Sequence, residues 1–284
     1  GLDWHMAFIL WLRRRASMWN PVKIFKLTRV LWKRGEGYSS KDLQAAATVA
    51  VELNGQFEFP SNLKLITHYR KTEKGRDILW GRRNYSKEHQ RDVIIPRITN
   101  QETMEAMAPN TVGGHYQHLI KNWSFTELWD KRFATKGDHW RHEVRSNISR
   151  HVFLCHDFQH ILFRYDTSQM GEACIQAVTH VMTRHFGPKY ASYMIALRLC
   201  HQYKSWQPMR VLREAYRIAF AVDSDFWFVN PLEIIDMDIQ EARDKYNIGA
   251  PVEYVRFSAD NKENFRFDQI HPEYNDVTMT DATI

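Results

Sequence analysis

The stretch from His156 to Glu172, HDFQHILFRYDTSQMGE, holds two histidines, an aspartate between them and a later glutamate. If His156 to Phe163 are helical, His156 and His160 are four residues apart and share one face of the helix. Asp157 precedes His160 by three residues and lies beside that face. Glu172 follows a loop, and an antiparallel return of the chain would bring it opposite the histidines. The spacing therefore predicts two imidazoles and one or two carboxylates around a single cation.

Several chemistries are compatible with this set. Zinc, manganese and ferrous iron all accept imidazole and carboxylate ligands, and two histidines with one carboxylate match the facial triad of non-haem iron sites. HDxxH is also similar to the HExxH of zinc hydrolases, but the shorter Asp157 suits a ligand or an orienting group better than a general base. With 14 histidines in the chain, a chance pair or a purely structural His–Asp pair is the alternative.

The elements that would position these residues are predicted to be helices. One long helix is expected from about His139 to Phe163, and a second is expected over GEACIQAVTHVMTRHF, ending at Gly187-Pro188. The next segment, KYASYMIALRLCHQY, is apolar nearly all round and is predicted to be a buried helix. Further capping signals occur at Asn230-Pro231 and at Asp238.

The remaining segments complete a mainly α architecture, with no internal repeats. In the polar region from Asn54 to Thr99, NLKLITHYR and DVIIPRITN are predicted to be short extended pieces. The organisation expected is a basic amphipathic N-terminal arm at 1–34, a single helical domain at 35–250 and an irregular C-terminal tail at 251–284.

Composition and charge indicate which classes of partner the chain could bind. The 284-residue chain has a net charge of +6, and eight of its 39 basic residues lie in the arm at 1–34, interleaved with tryptophans. Such a segment suits an anionic membrane surface, although a solvated helix docked by its tryptophans has the same composition. No nucleic-acid motif is present, so no nucleic-acid partner is expected. The three cysteines show no CxxC pairing, which predicts free thiols and no disulfide framework.

HDxxH, followed after eleven residues by a glutamate with a glycine before it, resembles the signature of the ubiquinone (coenzyme Q) biosynthesis family called "Coq four". The matching residues are His156, Asp157, His160, Gly171 and Glu172. The resemblance extends over roughly residues 108–250. The family usually has a glycine soon after the second histidine, where this chain has Arg164, and it tends to carry arginines before the motif, where this chain has His151 and Phe153. The chain is therefore similar to a divergent member.

The resemblance implies an all-α protein at a membrane surface that binds one divalent metal, of unspecified identity, through His156, Asp157, His160 and Glu172. These four residues would also be the catalytic set. It further implies a polyprenyl lipid or prenylated quinone precursor as ligand, and other ubiquinone biosynthesis proteins as partners. We also expect a homo-oligomer that is peripheral to the membrane. It would lie at the cytoplasmic face in bacteria or at the matrix face of the mitochondrial inner membrane.

Two activities follow from the resemblance. The first is a metal-dependent replacement of the ring carboxyl of a polyprenylated hydroxybenzoate by hydroxyl. The second is a non-catalytic, lipid-binding scaffold that organises the biosynthetic complex. A long apolar substrate also needs an apolar channel. ASYMIALRL and VLREAYRIAF are candidates to line one, although both stretches equally suit a helical core.

Overall fold

The structure is a computed structural model that describes residues 65–121 and 140–261. Over these ranges the chain is mostly helical and forms no strand, apart from one isolated antiparallel bridge between Thr111 and Asp238. The prediction of a mainly α, single helical domain is therefore confirmed. The predicted arm at 1–34 lies outside the described residues.

The α-helices longer than one turn are numbered in chain order within the described residues. They are α1 (Glu73–Trp80), α2 (Ile95–Thr99), α3 (Gln101–Glu105), α4 (Val112–Lys121), α5 (Trp140–Phe163), α6 (Gln169–Thr183), α7 (Phe186–Tyr203), α8 (Gln207–Ala221), α9 (Ile239–Lys245) and α10 (Val252–Asp260). Shorter helical turns lie at Arg83–Tyr85, Lys87–His89, Gln90–Ile94, Ser224–Phe228 and Pro231–Glu233.

The long helix α5 runs through the described residues Trp140–Phe163 and ends at the predicted residue, Phe163. At this end the guanidinium of the buried Arg243 donates hydrogen bonds to the carbonyls of Ile161 and Leu162 at 3.1 and 3.2 Å. Carbonyls in the last turn of a helix have no partner within the helix, so Arg243 satisfies two of them. Arg164 then adopts a left-handed conformation with φ of 60°, which ends the helix.

The boundary between α6 and α7 differs from the sequence prediction. α6 ends at Thr183, where Arg184 takes a left-handed conformation with φ of 58°, and not at Gly187-Pro188. Pro188 lies in the first turn of α7, which begins at Phe186. A proline is tolerated there because the first N–H groups of a helix have no partner within the helix.

The core forms around α6, which packs against α5, α7 and α8. Small and apolar side chains along α6, among them Ala173, Ala177 and Val178, are fully buried. The prediction that residues 189–203 form a helix is confirmed, but the helix is not buried all round, because Ile195 and Leu199 are buried whereas Tyr193 is 38% exposed. The small residues of α6 allow three helices to approach it closely, and this places α6 rather than α7 at the centre.

The described parts of both segments predicted to be extended are helical, so that prediction is wrong there. Residues 65–69 form a helical stretch in which Leu65 and Tyr69 are buried at the i, i+4 spacing of one helix face. In the second segment a π-helical turn at Gln90–Ile94 leads directly into α2, with Pro96 in the first turn of α2. Proline at that position does not break a helix, because its missing N–H has no partner there.

The predicted irregular tail is also wrong over its first part. Residues Val252–Asp260 form the helix α10, which buries Tyr254 and Phe257 at the i, i+3 spacing. Pro251 precedes this helix rather than preventing it, since proline is favoured at helix starts. The rest of the predicted tail lies outside the described residues. None of the described helices has the length and apolar character needed to cross a bilayer.

Candidate metal centre

The histidines and the glutamate meet between α5 and α6. α5 presents His156 and His160 on one face, with a ring-centroid separation of 4.9 Å. The short loop from Arg164 to Ser168 turns the chain back, and the first turn of α6 presents Glu172. This return is the antiparallel arrangement that the sequence predicts for these residues.

The three side chains place their ligand atoms close together. Glu172 Oε1 lies 3.4 Å from His160 Nε2, and Glu172 Oε2 lies 3.7 Å from His156 Nε2. One ligand atom from each residue lies within 4.8 Å of the other two. Tetrahedral ligands about 2.0–2.2 Å from an ion are about 3.3–3.6 Å apart, so the two histidine–carboxylate distances are close to those expected around one cation.

The two ring nitrogens of His160 have different partners. Nδ1 lies 2.9 Å from the backbone carbonyl of Tyr165. Because a carbonyl oxygen only accepts hydrogen bonds, Nδ1 carries the proton and Nε2 of the neutral ring has a free lone pair. Nε2 is buried and has no hydrogen-bond partner in the described structure. A lone pair that faces the Glu172 carboxylate is unfavourable unless a proton or a metal cation lies between them.

His156 is oriented in a comparable way by its neighbour in sequence. Its Nδ1 donates a hydrogen bond to Oδ1 of Asp157 at 3.1 Å, which leaves Nε2 on the side of Glu172. Asp157 is buried and lies outside the group of three residues whose ligand atoms converge. Of the four predicted ligands, the structure therefore brings three together and places the Asp157 carboxylate against the imidazole of His156. Such a carboxylate–histidine contact fixes the ring tautomer in metal sites.

The electrostatics of the group favour a positive charge at its centre. Burial opposes the charged imidazolium of His156, but the hydrogen bonds to Asp157 and Glu172 outweigh it and raise the pKa of His156 to about 10. Burial also favours the neutral acid at Glu172. The attraction of His160 and the hydrogen bond from His156 nevertheless hold the pKa of Glu172 well below its usual range. The site thus keeps its carboxylate ionised and attracts a proton or a cation.

The glycine before Glu172 has a steric role. A Cβ atom on Gly171 would lie 1.9 Å from the backbone oxygen of Asp166, a distance that no side chain can adopt. The loop therefore packs directly on the first turn of α6. Ser168 caps that helix by accepting a hydrogen bond from the Gly171 N–H at 3.2 Å.

Residues that sequence reasoning missed form the support of this loop. Tyr165 supplies the carbonyl for His160, and the fully buried Asp166 accepts hydrogen bonds from the Ser168 N–H at 2.8 Å and from the Tyr254 hydroxyl at 2.5 Å. The DTS sequence after Tyr165 carries a local signal, because Asp side chains commonly accept from the N–H two residues on. Nothing in the sequence pairs Tyr254 with it.

Other predicted or considered positions lie apart from the site. Arg164 is bonded through its guanidinium to Gln240 at the surface, and its backbone has the left-handed conformation that glycine adopts most readily. His151 is buried in the core, where burial lowers its pKa to about 4 although its Nε2 contacts the Trp227 carbonyl.

The two stretches proposed to line a channel mainly supply packing. Side chains from both are buried in the hydrophobic core: Ile195, Ala196, Leu199, Val211, Leu212, Ala215, Ile218 and Ala219. A narrow apolar crevice lies elsewhere, against α5, and is lined by residues that include Cys155, Phe158 and Leu162. These findings support the core interpretation for most of the two stretches.

The fold and the converging side chains define an all-α protein with a candidate centre of two histidines and one carboxylate. Residues 45–251 match the family described as Coenzyme Q (ubiquinone) biosynthesis protein Coq4, so the chain belongs to the Coq4 family. Membership of this family implies a role in ubiquinone biosynthesis.

One solved structure shows the same fold. A crystal structure from Nostoc punctiforme, of a protein provisionally named a ubiquinone biosynthesis protein, superposes with a TM-score of 0.52 and 11% sequence identity. The similarity covers 82% of this chain and 100% of that chain. At this identity the likeness shows the fold alone. No curated protein matches the chain significantly.

Proposed function

We propose that this protein is a metal-dependent enzyme of ubiquinone biosynthesis that replaces the ring carboxyl of a polyprenylated hydroxybenzoate by hydroxyl. The observation that carries the proposal is the pair of imidazoles, His156 and His160, whose Nε2 atoms both face Glu172 while their Nδ1 atoms donate to oxygen acceptors. That arrangement is typical of histidines that bind a metal through Nε2.

The donor set fits a catalytic rather than a structural ion. His156, His160 and Glu172 would hold the cation, and Asp157 would orient His156. Three protein ligands leave coordination positions open, whereas structural zinc sites are closed by four. The ions that accept nitrogen and oxygen ligands together are zinc, ferrous iron and manganese.

A bound divalent cation would supply positive charge to the substrate carboxylate and the adjacent phenol oxygen as carbon dioxide leaves. The protein's own groups prepare that position. Asp157 and the Tyr165 carbonyl fix the imidazole orientations, and Glu172 stays ionised because its pKa is held low. The two carboxylates of Asp157 and Glu172 would balance a dication, so that the occupied site would carry no net charge.

The overall reaction requires an oxidant and a reductant. The carboxylic acid and O₂, with two electrons and two protons, give the phenol, CO₂ and water. A short-chain prenylated hydroxybenzoate should therefore release CO₂ only when the protein has metal, O₂ and a two-electron donor. His160→Ala should abolish this turnover. The control His180→Ala should retain it, because His180 lies on α6 but its Nδ1 is bonded to the His185 carbonyl and not to the site.

The same assay separates the enzyme from a non-catalytic lipid-binding scaffold. Binding of the prenylated compound with no CO₂ release, at full metal occupancy and with O₂ and donor present, would favour the scaffold. Hydrolysis of an ester or a peptide by the zinc-loaded protein would favour the third alternative, a zinc hydrolase.

The place of action that we propose is the surface of an anionic membrane, with the arm at 1–34 as the contact. Its eight basic residues and interleaved tryptophans support this assignment. Peripheral attachment would give the site access to a lipid substrate and to other ubiquinone biosynthesis proteins, and a homo-oligomer would present two or more arms. Deletion of residues 1–34 should weaken binding to phosphatidylserine-containing vesicles. Unchanged binding would move the contact elsewhere.

A further inference from the structure

We propose that Tyr254 is a positioning residue for the metal centre, acting from a helix that follows the part of the chain matched by the family. The match ends at residue 251, and Tyr254 lies on α10, which begins at Val252. The inference rests on the proposed metal centre. It assigns to the chain beyond residue 251 a part in holding His160 and Glu172 through the loop between α5 and α6.

Two hydrogen bonds join Tyr254 to Asp166, which lies in the loop between α5 and α6. The Tyr254 side chain is fully buried, and its hydroxyl donates to Oδ1 of Asp166 at 2.5 Å. The same hydroxyl oxygen accepts from the backbone N–H of Asp166 at 3.1 Å. The two bonds together fix both the backbone and the side chain of Asp166.

The loop in turn fixes both sides of the candidate site. The residue before Asp166, Tyr165, supplies the carbonyl that accepts from Nδ1 of His160 at 2.9 Å. Oδ1 of Asp166 also accepts from the Ser168 N–H at 2.8 Å, and the Ser168 carbonyl accepts from the Glu172 N–H at 2.8 Å. A displacement of Asp166 would therefore turn the His160 ring and shift the start of α6.

Tyr254 is itself held in place from the opposite side. Oε2 of the buried Glu214, on α8, accepts the backbone N–H groups of Glu253 and Tyr254 at 2.8 and 3.2 Å. The Tyr254 ring also meets the Tyr165 ring edge-on, with centroids 4.9 Å apart. Because these contacts leave the tyrosine one orientation, its hydroxyl can define the position of the loop. Residues that orient the metal ligands through hydrogen bonds commonly influence the affinity of a metal site in this way.

The first experiment compares Tyr254→Phe with Tyr85→Phe in cobalt(II) binding by calorimetry and absorption. Each variant removes one buried hydroxyl that donates a hydrogen bond, but Tyr85 donates to the Phe228 carbonyl and not to the site. We expect Tyr254→Phe to weaken cobalt binding about tenfold, the lower end of the range for groups behind the ligands, and to change the d–d absorption. Tyr85→Phe should leave both readouts at the wild-type values.

The second experiment needs no metal. In the metal-free protein, the hydrogen exchange of the His160 Nδ1–H should be faster in Tyr254→Phe than in wild type, and unchanged in Tyr85→Phe. If wild-type protein binds no cobalt, the proposed metal centre fails, and this exchange comparison alone decides the role of Tyr254. Equal exchange rates in Tyr254→Phe and wild type overturn the proposal.

A further variant keeps the test usable if Tyr254→Phe does not fold. Asp166→Ala removes the carboxylate that accepts the hydrogen bond from the Tyr254 hydroxyl. It should give the same loss of cobalt affinity and the same faster exchange of the His160 Nδ1–H. Wild-type behaviour of a folded Asp166→Ala protein in both readouts would equally overturn the proposal.

Discussion

The substitution Gly171→Ala tests the close packing of the loop on α6. The new Cβ would lie 1.9 Å from the Asp166 carbonyl oxygen and 2.8 Å from its Oδ1. Neither atom can move freely, because Asp166 is bonded to Tyr254 and Ser168. The backbone of α6 or of the loop must therefore shift by more than 1 Å, a displacement on the order of the overlap.

The expected cost follows from two opposing effects. Inserting a methyl group into a closely packed site typically destabilises by about 1–3 kcal/mol, and a backbone clash this short belongs at the upper end. Alanine is favoured over glycine in a helix by about 1 kcal/mol, which offsets part of that cost. We expect a net loss of about 2 kcal/mol, which for a chain of this size lowers the melting temperature by about 3–4 °C.

Gly249→Ala is the matched control. A Cβ there would meet its nearest atom, Cγ1 of Ile218, at 3.8 Å, which is ordinary van der Waals contact. Alanine also reduces the entropy of the unfolded chain, so the control should be neutral or more stable by up to about 1 kcal/mol. Urea unfolding and zinc titration of both variants provide the comparison.

The metal affinity of the two variants should also differ. The clash in Gly171→Ala moves the residue that precedes Glu172. Zinc binding should therefore weaken about tenfold, as is typical when a contact that orients a metal ligand is lost. Gly249→Ala should bind like wild type. The packing argument would be refuted if Gly171→Ala unfolds at the same urea concentration as Gly249→Ala and binds zinc with wild-type affinity.

Three further predictions concern the helix end and the charges at the site. Arg164→Gly should stabilise the protein by about 0.5–1 kcal/mol in urea unfolding, because glycine adopts φ of 60° without the strain of a side chain. The control Arg213→Gly, at an exposed helical position, should destabilise the protein by about 1 kcal/mol. Equal effects of the two substitutions would contradict the left-handed conformation of Arg164. Since the pKa of His156 is raised to about 10 in the metal-free protein, zinc must displace a proton below that pH. Zinc affinity should then rise about tenfold per pH unit between pH 7 and 9, with about one proton released per ion in calorimetry with paired buffers, and a flat profile would speak against it. Glu172→Gln removes one of the groups that raise the pKa of His156, so an NMR titration of the metal-free variant should give a lower value, and an unchanged pKa would show that Glu172 does not act on this ring.

The sequence alone was sufficient for the helices that carry the site. The i, i+4 histidines on a long helix and a glutamate early in the next one required only helical periodicity and a turn at RYDTSQ. Their convergence is confirmed by the structure for His156, His160 and Glu172. Asp157 is predicted to be a ligand together with the other three residues, but its carboxylate contacts Nδ1 of His156, which favours an orienting role.

The errors arose where tertiary contacts override local signals. Pro251 suggests a break in the sequence, yet it lies at the start of α10, where proline has no helical hydrogen bond to lose. The helix α10 could not be predicted from periodicity in a polar segment. Its N–H groups are satisfied by Glu214, which is 39 residues away from Glu253 along the chain. Long-range partners of this kind leave no pattern in a single sequence.

The most direct test of the metal centre is a crystal structure of the zinc-loaded protein with anomalous diffraction at the zinc edge. We predict one anomalous peak about 2.0–2.2 Å from Nε2 of His156, Nε2 of His160 and a carboxylate oxygen of Glu172. A peak bound elsewhere, or full loading with Glu172 turned away from both imidazoles, would contradict the account.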